Sequence, residues 1–282
     1  MRFFSQMPEY CRPCLERLVR QAVSLACPGD DKALRQGLGW LEELYDPSLP
    51  PPIIASRLHL KIKKYCKAYD PYQPLKEKEI SIASRLAKEL LPYYNKGLED
   101  LLAFALLGNA IDFFRPLEEI ETAFRQGVTL GIDHRSRVVQ ALKEAKVVLY
   151  LTDNAGEVFF DLPLLKALKD RGLEVYYAVK PEPLQNDLCL EDLKKIDVEL
   201  PVPVVSTGAR IVGLVWEEAS AEFRSIYQQA DIILAKGMGH FETLSKAPRR
   251  DRLVFMLCAK CVPVSKALEV PLHSYICLWE ES

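Results

Sequence analysis

The stretch Val147-Val148-Leu149-Tyr150-Leu151-Thr152-Asp153-Asn154-Ala155-Gly156-Glu157 decides how the chain is read. An apolar run rich in β-branched residues stops at an acid, an amide, a small residue, a glycine and a second acid. Val158, Leu162, Leu165 and Leu168 then follow at helical spacing. Open α/β sheets bind their ligands at the carboxyl ends of their strands. Asp153 and Asn154 therefore stand at the predicted binding edge, as oxygen ligands suited to a hard divalent cation such as Mg²⁺ or Mn²⁺.

Working outward, the same grammar continues to the end of the chain. Apolar runs at 173–179, 202–206, 232–235, 253–257 and 274–278 read as further strands. Helical stretches at 158–169, 188–195, 217–229 and 264–268 separate most of them. This alternation predicts an α/β fold over residues 136–282, a mostly parallel, Rossmann-like α/β/α sandwich. Residues 1–135 read as an all-helical domain. Leu15, Leu18, Val19, Ala22, Leu25 and Ala26 fall on one helix face; so do Ile80, Ala83, Leu86, Ala87 and Leu90, and again Leu98, Leu101, Leu102, Ala105 and Leu106. Pro50-Pro51-Pro52 cannot continue a helix, so the helical domain is read as two lobes split near residues 50–52. No strand is expected before residue 145.

Composition narrows the function classes. Half of the 282 residues are apolar and the net charge is −2, so no broad basic face awaits a nucleic acid. No apolar run reaches the roughly 18 residues of a membrane span. The first residues lack the apolar core of a signal peptide, which points to the cytoplasm. The eight cysteines are then better read as thiols or metal ligands than as a disulfide framework.

Further loops meet Asp153 at the predicted edge. One is Lys180-Pro181-Glu182-Pro183-Leu184-Gln185-Asn186-Asp187; Asp187 is either a helix cap or a third oxygen ligand. Another is Lys236-Gly237-Met238-Gly239-His240-Phe241-Glu242, where a lysine and two glycines suit a phosphoryl group. The loop opened by Ser206 is either a further phosphate contact or a plain glycine turn. Asn109 and Asp112 lie three apart and could support the cation from behind, as could Glu242. Cys11/Cys14 and Cys258/Cys261 form two C-x-x-C pairs. They could share a zinc ion, form a redox pair, or remain free buried thiols.

Taken in order, Cys11-x-x-Cys14, Gly108-Asn109-x-x-Asp112, Asp153-Asn154-Ala155-Gly156-Glu157, Asn186-Asp187, Lys236-Gly-Met-Gly-x-x-Glu242 and Lys260-Cys261 resemble the damage-control phosphatase family, also called domain of unknown function 89. The early C-x-x-C is similar to its stand-alone prokaryotic subgroup. The resemblance implies a metal-dependent phosphatase acting on small phosphorylated metabolites, sugar phosphates or phosphorylated cofactor fragments. It implies Mn²⁺, Mg²⁺, Co²⁺ or Ni²⁺ held by Asp153, Asn154 and Asp187, with Lys236 facing the phosphate and Gly237, Gly239, His240 and Glu157 around it. His240 stands where the family usually has asparagine, and an imidazole there would add a titration near neutrality. Water oriented by Glu157 or Asp187, or an aspartyl-phosphate on Asp153, are both open routes. Two competing readings are an S-adenosylmethionine-dependent methyltransferase and a non-catalytic metal or redox module built on the cysteine pairs. The first lacks the glycine-rich turn expected after the leading strand.

Overall fold

The computed structural model describes residues 7–110, 128–196, 198–244, 247–248 and 250–280. Helices α1 (Cys11–Ala26), α2 (Asp31–Leu44) and α3 (Pro51–Cys66) pack on one another. Leu15, Val19, Leu41, Ile54 and Leu58 close a core of their own between them. The proline run does not divide two lobes. Pro51 and Pro52 open α3, where a missing N–H costs nothing, and α3 shares its core with α1 and α2. A disulfide joins Cys27, just past α1, to Cys66, the last residue of α3. This corrects the expectation of thiols throughout: the helix ends bring these two Cα atoms to 5.6 Å, within bridging range.

Helices α4 (Gln73–Leu90) and α5 (Leu98–Gly108) lead to the sheet. After β1 (Leu130–Asp133) and α6 (Arg135–Ala141) come β2 (Val147–Leu151), α7 (Val158–Asp170), β3 (Glu174–Val179), α8 (Leu190–Lys195) and β4 (Val204–Ser206). The chain then runs through α9 (Ala221–Gln229), β5 (Ile232–Lys236), α10 (Gly237–Thr243), β6 (Leu253–Cys258), α11 (Val262–Leu268) and β7 (Tyr275–Trp279). The strand order is β1-β7-β6-β5-β2-β3-β4. Among the described residues only the β6–β7 strand pair is antiparallel.

The predicted α/β architecture is therefore present, with one strand that was not expected. Residues of β1 alternate between half-buried and exposed at the sheet edge, so Leu130-Gly131-Ile132-Asp133 carries no continuous apolar run. The interior strands do: β5 and β6 are buried at every position. One face of the sheet packs with α4, α5 and α7 through Leu102, Phe104, Leu106, Phe160 and Leu164. The other packs with α9, α10 and α11 through Phe223, Tyr227, Phe241 and Val264. Thus α4 and α5 share the sheet's core, unlike α1–α3.

Buried polar contacts bind the helices to the carboxyl edge of the sheet. Lys76 of α4 pairs with Asp70 at 2.7 Å and with Asp192 of α8 at 2.8 Å, all three side chains being buried. Removing one partner from a buried ion pair strands the others. Lys76→Met leaves two carboxylates without their cation, and we expect a loss of about 3–5 kcal/mol in unfolding free energy by urea denaturation.

Candidate active site

The sheet's strand order reverses between β2 and β5, which lie side by side. Their carboxyl ends open a crevice there, and this is where an open α/β sheet offers its site. Asp153 follows β2, and Gly237 follows β5. Gly237 has φ +82°, and a Cβ on it would lie 2.1 Å from Asp153 Oδ2. Only glycine fits against that carboxylate.

The loop after β3 is zipped onto the same place. Leu188 N donates to Asp153 O at 2.8 Å, and Ala155 N to Asn186 O at 2.9 Å. Asn186 Nδ2 donates to Asn154 Oδ1 at 2.5 Å. Asn154 and Asp187 pair as an isolated antiparallel bridge. The structure thus brings together Asp153, Asn154 and Asp187, and all three line a cleft of about 540 Å³. Asn186, Gln185, Gly239, Glu242 and Lys260 line it too.

Asn109, just past α5, stands behind the acids. Its Nδ2 donates to Asp153 Oδ2 at 2.8 Å and to Glu157 Oε1 at 2.7 Å, while its Oδ1 accepts from Cys258 N at 2.9 Å. Asn154 Nδ2 donates to Glu157 Oε1 at 2.7 Å and to Asp153 Oδ2 at 3.2 Å. Asp112 lies outside the described residues.

Burial, then the charges of Glu157 and Asp187, push the Asp153 carboxyl up to about 8, although Lys260 pulls it down. Burial pushes Asp187 up to about 6 against the opposing pull of Lys180. Asp187 Oδ2 is a buried oxygen with no hydrogen-bond donor, and Lys180 Nζ is 3.6 Å away. Two acids short of positive charge, one orphaned oxygen and an amide carbonyl make a donor set that fits a hard divalent cation.

Lys236 is not in the cleft. Along a strand alternate side chains share a face, so Lys236 points with Leu234 toward α5 and α7. Its Nζ is fully buried, 2.7 Å from Glu157 Oε2 and 2.9 Å from Asp161 Oδ1. It also donates to Ala105 O at 2.6 Å. Sequence reasoning passed over Asp161, an acid one helical turn after Glu157 within an apolar helix. It also gave no role to Lys180, which directly follows β3, whereas Lys236 is the last residue of β5. Lys180 projects to the opposite face and donates to Gly213 O.

His240 corrects a second expectation. Its Nδ1 donates to Lys236 O at 2.6 Å, and the ring is buried. Burial, reinforced by Lys180, lowers its pKa to about 3, so it stays neutral and adds no titration near neutrality. Ser206 caps its own turn, accepting from Gly208 N at 3.1 Å on edge strand β4, and does not line the cleft.

The cysteines divide otherwise than their spacing suggests. Cys11, Cys14 and Cys261 also line the cleft, whereas Cys258 is buried, with its thiol toward His273 O. Among the described residues no three Cys, His, Asp or Glu side chains form a group that could hold a metal, which removes the shared zinc. Burial pushes Cys11 up to about 12 and Cys261 up to about 11, the range of unreactive thiols. The oxygen set at Asp153 counts only two carboxylates, its third member being an amide. Among the described residues no helix is long and apolar enough to cross a membrane.

The chain is 34% identical to the damage-control phosphatase PH1575 of Pyrococcus horikoshii, over 95% of this chain and 96% of that protein. It is 28% identical to a damage-control phosphatase of Archaeoglobus fulgidus, over 92% and 94% of the two chains. The crystal structure of the Pyrococcus protein, described as a DUF89 family protein, superposes with a TM-score of 0.88 at 32% identity, covering 98% of this chain and 99% of that one. Residues 7–276 match the damage-control phosphatase ARMT1-like domain, and the chain belongs to that family of phosphatases.

Proposed function

We propose that this protein is a metal-dependent phosphatase that hydrolyses small phosphate monoesters in metabolite damage control. The observation that carries the reading is the meeting of Asp153, Asn154 and Asp187 in one cleft with Lys260. Asp153, Asn154 and Asp187 would hold the cation, Mn²⁺, Mg²⁺, Co²⁺ or Ni²⁺. When bound, such an ion supplies Lewis acidity toward a phosphoryl oxygen and lowers the pKa of a water.

The protein's own groups do the rest. Lys260 lines the cleft within electrostatic reach of Asp153 and offsets the charge of the ester's oxygens. Gly239 lines the cleft, and its missing Cβ makes room for Val212 of the neighbouring loop. Asp153 Oδ2 accepts two amide hydrogen bonds, which hold it as a ligand and weaken it as a nucleophile. Water attack is therefore the preferred route, with Asp187, whose Oδ2 meets Lys180 Nζ at 3.6 Å, as the group that would orient the water. The methyltransferase reading gains nothing, because carboxylates fill the turn after β2.

The rest of the cleft bears on the substrate. Tyr10, Val262 and Leu272, three of the six large apolar side chains exposed among the described residues, line it. Leu15, Leu18 and Met238 continue that surface inward. Arg17, Gln185, Asn186 and Glu242 give the cleft polar groups as well. A phosphorylated cofactor fragment with an apolar arm would bury surface worth about 25 cal/mol per Å².

Three outcomes are expected. First, phosphate release should stop in EDTA and return with Mn²⁺, and Asp153→Asn should lower it by roughly 10²–10³-fold with circular dichroism unchanged. Undiminished turnover by that variant would sink the assignment. Second, phosphate release from an aryl or alkyl ester should exceed that from a hexose phosphate by about tenfold in kcat/KM, the worth of about 1.4 kcal/mol of buried apolar surface.

The third concerns pH. Asp153 and Asp187 have folded pKa values of about 8 and about 6, both raised. An unfolded aspartate titrates near 3.9. The cation-free folded chain then binds more protons than the unfolded one, so its stability falls as pH rises from about 4 to about 8. Melting temperatures in EDTA should drop across that window. Mn²⁺ should restore them most at the alkaline end, because a bound cation displaces those protons.

A further inference from the structure

We infer that Lys236 is a positioning residue. It sets how firmly the oxygen cradle holds its cation, and it does not bind the substrate's phosphate. The inference rests on the reading above for the identity of that cradle.

The ammonium group donates to Asp161 Oδ1 and to the carbonyl of Ala105, and Glu157 Oε2 stands 2.7 Å away as its second ion-pair partner. None of its surface is exposed. A phosphate in the cleft could reach it only by breaking a buried ion pair. The lysine is also pinned from below. Asp161 accepts the Tyr150 hydroxyl at 2.5 Å and the Tyr177 hydroxyl at 2.9 Å, and both rings are buried.

Above, the path runs to the cation ligands in two steps. Lys236 neutralises Glu157 through Oε2, and Glu157 Oε1 accepts the amide groups of Asn109 and Asn154. Those same two amide groups donate to Asp153 Oδ2. One charged Glu157 thus sets the rotamers of Asn154 and, through Asn109, of Asp153. Without Lys236, Glu157 and Asp161 would be two carboxylates buried together with no cation. Without that anchor the Glu157 carboxylate would turn away from the two amide groups that donate to it, and the cradle would lose its register. Groups that orient metal ligands are worth roughly 10–100-fold in affinity.

The test is Mn²⁺ binding read by electron paramagnetic resonance of the free ion, which requires no turnover. Lys236→Met should weaken the Mn²⁺ Kd by roughly 10–100-fold. At saturating Mn²⁺, competitive inhibition by inorganic phosphate should stay within about twofold of the parent, because no phosphate ligand has been removed. A phosphate-binding lysine predicts the reverse: unchanged Mn²⁺ affinity and a phosphate Ki raised about tenfold or more, and that result overturns the inference. Should Lys236→Met not fold, Lys236→Met with Asp161→Leu removes the stranded carboxylate, and the same two readings apply. A parent protein that binds no Mn²⁺ overturns the phosphatase reading and this inference together. A parent that binds Mn²⁺ beside a variant that binds it equally well overturns the inference alone.

Discussion

The buried ion pair between Lys236 and Glu157, 2.7 Å long and closed to solvent, is the constraint on which the site depends. It joins the end of β5 to the turn that opens α7. With Asp161 and the carbonyl of Ala105 it also fastens α5 and the body of α7 to the sheet. Buried charges are tolerated only when paired and hydrogen-bonded. Every member of this set is: two tyrosine hydroxyl groups serve Asp161, and two amide groups serve Glu157. The network adds less to net stability than apolar packing of the same volume would. What it supplies is a fixed direction for each polar group, and metal ligation requires that.

A second set of contacts holds the opposite wall of the cleft. Ser56 of α3 accepts from Val212 N at 2.9 Å, and Lys63 of α3 donates to Pro183 O at 2.5 Å. One helix of the α1–α3 lobe therefore fixes both the loop before Asp187 and the loop that faces Gly239. The approach is close, since a Cβ on Gly239 would lie 2.8 Å from Val212 Cγ1. On the other face, a Cβ on Gly156 would lie 2.8 Å from Glu79 Cγ of α4. The turn bearing Asp153 is thus clamped between α4 and the loop after β3. Helices distant in sequence supply the walls, and the strand ends supply the chemistry.

Most of the architecture could be read from the chain because the interior strands are apolar on both faces. Runs such as Ile232-Ile233-Leu234-Ala235 have no other stable place than a covered parallel sheet. The edge strand β1 escaped notice because it is half solvated and holds a glycine. That Asp153, Asn154 and Asp187 meet could be read because their loops follow neighbouring strands at one edge of the sheet. Lys236 could not, because its residue type fits two jobs. A lysine beside two glycines suits an anion, and a lysine at the last residue of a buried strand suits an ion pair. Strand parity decides between them, and that follows only once the face of Leu234 is known. Asp161 was the available signal: an acid on the buried face of α7 needs a cation, and Lys236 is the one that meets it. The Cys27–Cys66 bridge left no trace in spacing, since 39 residues separate the two and only helix packing brings them together.

The two strand-end lysines show how one sheet uses both faces to serve one edge. Lys236 drops toward α5 and α7, where Glu157 carries its influence to Asp153. Lys180 drops toward α10, where it faces Asp187 at 3.6 Å and adds its charge to the burial that keeps His240 neutral. Each acid of the cradle thus has a lysine beneath it, one acting through an intermediary and one more directly. Neither lysine is exposed, and neither fully offsets its acid: Asp153 and Asp187 both keep raised pKa values. A site with fully neutralised acids would have no electrostatic reason to take up a divalent ion. On the proposed reading, leaving them partly uncompensated makes a bound cation the missing charge, and Lys260, which does line the cleft, would meet the anion that arrives with the substrate.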